Sequence, residues 1–154
     1  MAAIMMIESL LAYAHTLAFL GLTVFLTSQT ALCRPEWLNA AAVQRLAALG
    51  RWVHIFTWAV LLTGLARIHL GVKGATLWGQ PLLHVKVTLF ALMAFCIWRA
   101  HRLMAGWPRA LAASGALPDA TALRQARRWL MVGAHLMVLA PLAAVWLARG
   151  ILAA

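Results

Sequence analysis

From Ser9 to Leu32 the chain carries not one lysine, arginine, aspartate or glutamate. About 20 consecutive apolar residues suffice for a helix to cross the hydrocarbon core of a bilayer, whereas a helix on a small soluble domain needs a polar face. Three more apolar runs follow, at about Trp52–Leu70, Leu82–Met104 and Trp129–Arg149. With 65% apolar and only 10% charged residues in 154, and a mean hydropathy of +0.88, a soluble fold would leave far too much apolar surface in water. The sequence therefore predicts an all-α, four-helix transmembrane bundle of up-down topology. It is one integral membrane domain over residues 1–154, and its first run has no signal-peptide cleavage pattern and is expected to remain as a span.

Breaker residues set the limits of the runs. Arg34-Pro35 closes the first, Gly71 and the Lys73-Gly74 turn the second, and Gly106-Trp107-Pro108 the third, which opens after Gly79-Gln80-Pro81. Pro141 lies inside the fourth as a kink. Ser114 to Asp119 reads as a turn, with Asp119 or Thr121 capping the lead-in to the last helix.

The net charge of +10 would suggest nucleic acid for a soluble protein, but here the arginines cluster between apolar runs, as orientation in a membrane requires, and no nucleic-acid partner is expected. The first and third connections carry Arg34, Arg45, Arg51, Arg99, Arg102, Arg109, Arg124, Arg127 and Arg128. The opposite side has Arg67, Lys73, Lys86 and Arg149. Nine against four predicts that the first and third connections face the cytoplasm and both termini lie outside, in the periplasm of a Gram-negative cell. Trp37, Trp52, Trp78, Trp98, Trp107 and Trp129 fall near the expected interfaces. Cys33 and Cys96 are isolated, and no disulfide is expected.

Six histidines in so apolar a chain need explaining, because an ionisable group within a membrane is costly and faces a bundle interior, a ligand or water. His69 and His101 lie near helix ends and read best as reaching the headgroups. His15 and His84 have similar depths near the outer side, and His54 and His135 are their counterparts toward the inner side. In an up-down bundle each pair sits on diagonal helices. Facing neutral imidazoles are what a b-type haem iron takes, so His15 with His84 forms the first candidate site and His54 with His135 a weaker second. Arg67 and Lys86 are placed to meet haem propionates or another acidic group. Thr23, Thr27, Ser28 and Gln29 form a polar stripe that reads as inter-helix glue. The only carboxylates, Glu8, Glu36 and Asp119, lie in flanks or loops, and no phosphate-binding or hydrolase motif occurs. Any chemistry must then belong to a cofactor.

The stretches Thr63-Gly64-Leu65-Ala66-Arg67, Gly71-Val72-Lys73-Gly74 and Leu83-His84-Val85-Lys86-Val87-Thr88-Leu89-Phe90 resemble an uncharacterised bacterial four-helix membrane family (domain of unknown function 2214). Gly115 to Asp119 and Leu147 to Gly150 resemble it too. That resemblance runs from Arg45 onward and implies the fold but no activity. The sequence departs from the family's pattern at Ser28-Gln29 and Gly50, where acidic residues are expected, and at His54, where a small residue is expected. More distantly, the placement of His15 and the His84-x-Lys86 element resemble the HemJ-type protoporphyrinogen oxidases, which implies haem b and a quinone-linked oxidoreductase. The helix from Lys86 through Arg99 and Arg102 is similar to that of CopD-type copper proteins, which implies copper transport.

The sequence thus predicts a haem b protein of the bacterial inner membrane with an electron-transfer or porphyrin-related redox role. Its partners are the lipid bilayer and a quinone or other redox protein, with assembly as a homo-oligomer or in a larger membrane complex. An accessory subunit of such a complex is the alternative. Reporter tags fused at either terminus are expected to lie on the same, non-cytoplasmic side, with a tag between Ser114 and Pro118 on the other. A tag at Ser114 reached only from outside would reverse the orientation.

Overall fold

The computed structural model describes residues 2–71 and 74–149. Helix α1 spans Ala2–Leu32, α2 Ala40–Leu70, α3 Pro81–Met104, α4 Trp107–Ser114 and α5 Ala120–Ala148. Four of the segments are long and apolar enough to cross a membrane: Ile4–Leu32, Ala40–Leu70, the α3–α4 stretch Pro81–Ser114, and Ala120–Trp146. The Lys73 position and its turn lie outside the described residues.

The helices exceed the apolar runs because charge marks a bilayer boundary and not a helix end. Arg45 and Arg51 continue α2 backward to its cap, where the Asn39 side chain accepts a 2.8 Å hydrogen bond from the Ala42 N–H. On α5 the Asp119 carboxylate accepts from the N–H groups of Thr121 and Ala122 at 2.7 and 2.8 Å, so Asp119 is the cap. The short α4 was not expected, because Pro108 reads as a stop. A proline in the first turn of a helix loses nothing, its N–H being one that has no partner there anyway. Gly115 ends α4 at φ +70°, the left-handed position that glycine takes without strain. Pro141 sits inside α5, as expected.

The bundle consists of two helix hairpins, α1 with α2 and α3 with α5. Contact between α1 and α5 joins them, while α2 and α3 barely touch. α1 and α3 are therefore diagonal. Leu22, Leu26, Ile97 and Leu130 fill the interior, and Leu20, Val24, Leu62 and Val138 point outward, an inside-out pattern that only lipid tolerates. Between α1 and α2 the rings of Phe25 and Phe56 stack at 5.3 Å and those of Phe25 and Trp52 at 5.5 Å. Gly21 gives Phe56 its room. Gly133 of α5 faces Cys96 and Ile97 of α3, where an added Cβ would sit at ordinary contact distance. At the arginine-rich end Arg34, Arg99 and Arg102 lie over the rings of Trp37, Trp129 and Trp98, forming a cationic and aromatic belt.

A side chain at Gly21 must displace the Phe56 ring. Gly21→Leu is expected to lower stability by about 1–3 kcal/mol, whereas Gly79→Ala, with open space around it, stays within about 0.5 kcal/mol. Unfolding titrations in mixed detergent micelles measure both.

Candidate functional site

The thin contact between α2 and α3 leaves a seam, and polar side chains gather at both of its ends. At the end where α1 begins and α2 finishes, a cavity of about 400 Å³ lies among α1, α2 and α3. Its walls are mostly apolar, from Val60, Leu61, Ile68, Leu83 and Phe90, with Leu77 and Trp78 of the α2–α3 connection closing the end. Leu65 and Val87 line it and are also exposed, so it opens sideways between α2 and α3. Into this wall project His15, Arg67 and Lys86, together with Glu8.

The orientation of His15 follows from its hydrogen bonds. The Thr63 hydroxyl donates to the Ala59 carbonyl at 2.6 Å, so its oxygen is left to accept from His15 Nδ1–H at 2.8 Å. Nε2 is then the nitrogen with the lone pair. The ring rests on Gly64, where an added Cβ would come within 3.3 Å of it. Arg67 and Lys86 are half-buried, and among the described residues neither has a recorded ion pair. Two cations, the Glu8 carboxylate and an imidazole lone pair thus share one mostly apolar chamber, whose excess positive charge suits an acidic ligand with an apolar body.

His84 does not join them. It is exposed and its Nε2 lies 2.8 Å from the Trp78 carbonyl oxygen. Residues two positions apart on a helix are separated by about 200°, so with Lys86 facing the cavity His84 cannot. The pairing of His15 with His84 is not formed.

At the other end of the seam the pairing is also different from the one expected. His54 meets His101, not His135: the Nδ1 atoms of His54 and His101 are 2.9 Å apart and the ring centroids 4.4 Å. His135 is exposed and bonds the Met131 carbonyl of its own helix at 2.6 Å. His101 does not reach for headgroups; its Nε2 lies 3.0 Å from Gln29 Oε1. Gln29, the one fully buried polar side chain among the described residues, donates from Nε2 to the Leu46 carbonyl at 3.2 Å. Gly50 makes the room, since a Cβ there would come within 3.1 Å of Gln29 and 3.4 Å of His101. Gln29, Gly50 and His54 thus form one cluster with His101.

Of the remaining stripe, Thr23 and Thr27 bond carbonyls of α1 itself, and Thr23 also approaches the Met137 sulfur at 3.7 Å. His69 is exposed, with its ring 6.4 Å from that of Trp78. Thr63 and the His101 cluster escaped the sequence reading. The signal available for the cluster was a lone glutamine on the face of α1 that also carries Leu22 and Leu26.

The four membrane-spanning helices and the seam define a multi-pass membrane protein with a lateral chamber. The family model for predicted membrane proteins named DUF2214 matches residues 7–152, and the chain belongs to that family. No curated protein and no solved structure matches it, so the likeness to HemJ-type and CopD-type proteins has no support from these comparisons.

Both cysteines are free and buried, and burial pushes the Cys33 thiol up to about 11 despite the opposing charge of Arg127. N-ethylmaleimide at neutral pH is expected to leave Cys33 and Cys96 unmodified in the folded protein and to label both after unfolding in dodecyl sulfate. Rapid labelling of Cys33 in the native protein would contradict this packing.

Proposed function

We propose that the chamber at His15 binds a tetrapyrrole with acidic side chains, b-type haem above all, and that the protein serves electron transfer or porphyrin-related redox chemistry in the bacterial inner membrane. The observation that carries this reading is the convergence of His15, Arg67 and Lys86 on one apolar cavity. A haem would supply the redox chemistry. The chain supplies the Nε2 lone pair of His15, held by the Thr63–Ala59 relay of hydrogen bonds, in the way a hydrogen-bonded ring N–H commonly fixes a metal-binding histidine. Arg67 and Lys86 receive the carboxylates, which lowers the cost of keeping two cations in an apolar wall. The lateral opening admits a ligand too apolar to travel through water.

The geometry also alters the expected ligation. With His84 turned away, His15 is the one histidine at the cavity among the described residues, so a haem held there would take a single imidazole from this chain. Quinone and redox-protein partners, and assembly into a larger complex, belong to this same reading, since a small haem chamber needs a donor and an acceptor.

Protein purified in detergent from cells supplied with a haem precursor is expected to show a Soret band that shifts when carbon monoxide is added to the dithionite-reduced form. His15→Ala should abolish the band, and Arg67→Gln or Lys86→Gln should each weaken haem binding about tenfold, or roughly 1.4 kcal/mol. A flat spectrum from folded protein, or full haem retention in His15→Ala, would overturn the proposal.

A further inference from the structure

The groove between α1 and α2 at the arginine-rich end takes no part in that chamber. Phe25, Ser28 and Leu32 line it from α1, and Arg45, Leu49 and Trp52 line it from α2. Spacings of three and four residues keep each set on one helix face. The volume is about 510 Å³, and the stacked rings of Phe25 and Trp52 wall its deeper part. Toward the bilayer boundary the groove runs into a recess of about 520 Å³, which shares Leu32, Trp37 and Arg45 with it and adds Glu36. Ser28, Trp37, Arg45 and Trp52 are exposed, so the groove opens sideways to the lipid.

Ser28 differs from the other serines and threonines of α1. The hydroxyls of Ser9, Thr16, Thr23, Thr27 and Thr30 each donate to a carbonyl of their own helix, while Ser28 has no partner among the described residues. Ser28 lies about one turn inside the end of α1, and an unpaired hydroxyl is costly where water is excluded. Arg45 has no ion pair among the described residues either, although Glu36 lines the same recess. Arg34 lies over the Trp37 ring beside it, at 5.3 Å. We infer that this groove binds one anionic glycerophospholipid of the phosphatidylglycerol type. Its phosphate meets Arg45, an ester carbonyl accepts from the Ser28 hydroxyl, and one acyl chain lies along Leu49 and the Phe25–Trp52 stack. Cation at the boundary, hydroxyl next and rings deepest is the order in which a phospholipid presents phosphate, ester and chain. Arg34 and Arg45 against Glu36 leave one positive charge in excess. A lipid of single negative charge cancels it, whereas the ammonium of a zwitterionic headgroup adds to it. A free phosphate leaves Ser28 and the apolar wall without a partner.

The test is native mass spectrometry of the full chain, delipidated in detergent and titrated with phosphatidylglycerol or phosphatidylethanolamine of identical acyl chains. One phosphatidylglycerol is expected to stay bound, about fivefold more tightly than phosphatidylethanolamine. Arg45→Gln should remove that preference, a loss of about fivefold, and Ser28→Ala should weaken both lipids about twofold or more. Arg109→Gln, an exposed arginine of α4 outside the groove, should leave binding unchanged, and so should His15→Ala, which separates this site from the haem chamber. All four substitutions alter exposed or cavity-lining side chains, and unchanged helical circular dichroism checks that each variant is folded. Excess inorganic phosphate should not displace the lipid. Equal or tighter binding of phosphatidylethanolamine, displacement by inorganic phosphate, or unchanged binding in Arg45→Gln or Ser28→Ala overturns the inference.

Discussion

Inside a bilayer no water is available to hydrogen-bond a peptide group, so each spanning segment must satisfy its own backbone by becoming a helix. That constraint fixes the secondary structure here before any side chain is considered. It also removes the usual reason for helices to associate, because a lipid tail is as apolar as a leucine. What is left is close packing and the few polar side chains. Gly21 under Phe56 and Gly133 against Cys96 provide the close packing within the two hairpins. The polar groups go elsewhere, to the seam between α2 and α3.

This division gives the seam its interest. Had α2 and α3 packed as closely as α1 and α2 do, their facing surfaces would need no polar residues. Instead Arg67 and Lys86 stand at one end and His54 and His101 at the other. His15 and Gln29, fourteen residues apart and so within about 40° of each other on α1, back the two ends from a single helix face. Lys86 and His101 are likewise about 60° apart on α3. One face of α1 and one face of α3 are therefore polar at both ends and apolar between them. A purely structural seam has no need of cations beside a cavity. Such placement is costly and persists where a ligand or function offsets it.

The architecture was legible in the sequence because hydropathy over a long window reports directly on burial in lipid. Helix limits were less so. By hydropathy α2 begins at Trp52 and α5 at Trp129, next to arginines, although the helices extend through those arginines to Ala40 and Ala120. The candidate site divides along a similar line. Depth along a helix can be read from position, and His15, Arg67 and Lys86 line one cavity at the same end of the bundle. Azimuth cannot be read the same way when every face of a helix is apolar. With no polar face to set the rotation of α3, helix geometry says that His84 and Lys86 cannot both face inward, and the fold decides which one does.

The same ambiguity explains the histidine pair. His101 sits in a turn rich in Arg99 and Arg102, a setting that by itself argues for contact with headgroups. Its actual direction is set from across the bundle by Gln29, which is fully buried and whose amide is itself held by the Leu46 carbonyl. The glycine at residue 50 leaves Gln29 and His101 room to meet, and His54 completes the contact from the next turn of α2. Each of these residues is unremarkable alone. An acidic side chain at position 50 would occupy the space that His101 and Gln29 now share, so the imidazole bridge and the small residue that admits it are one arrangement and not two.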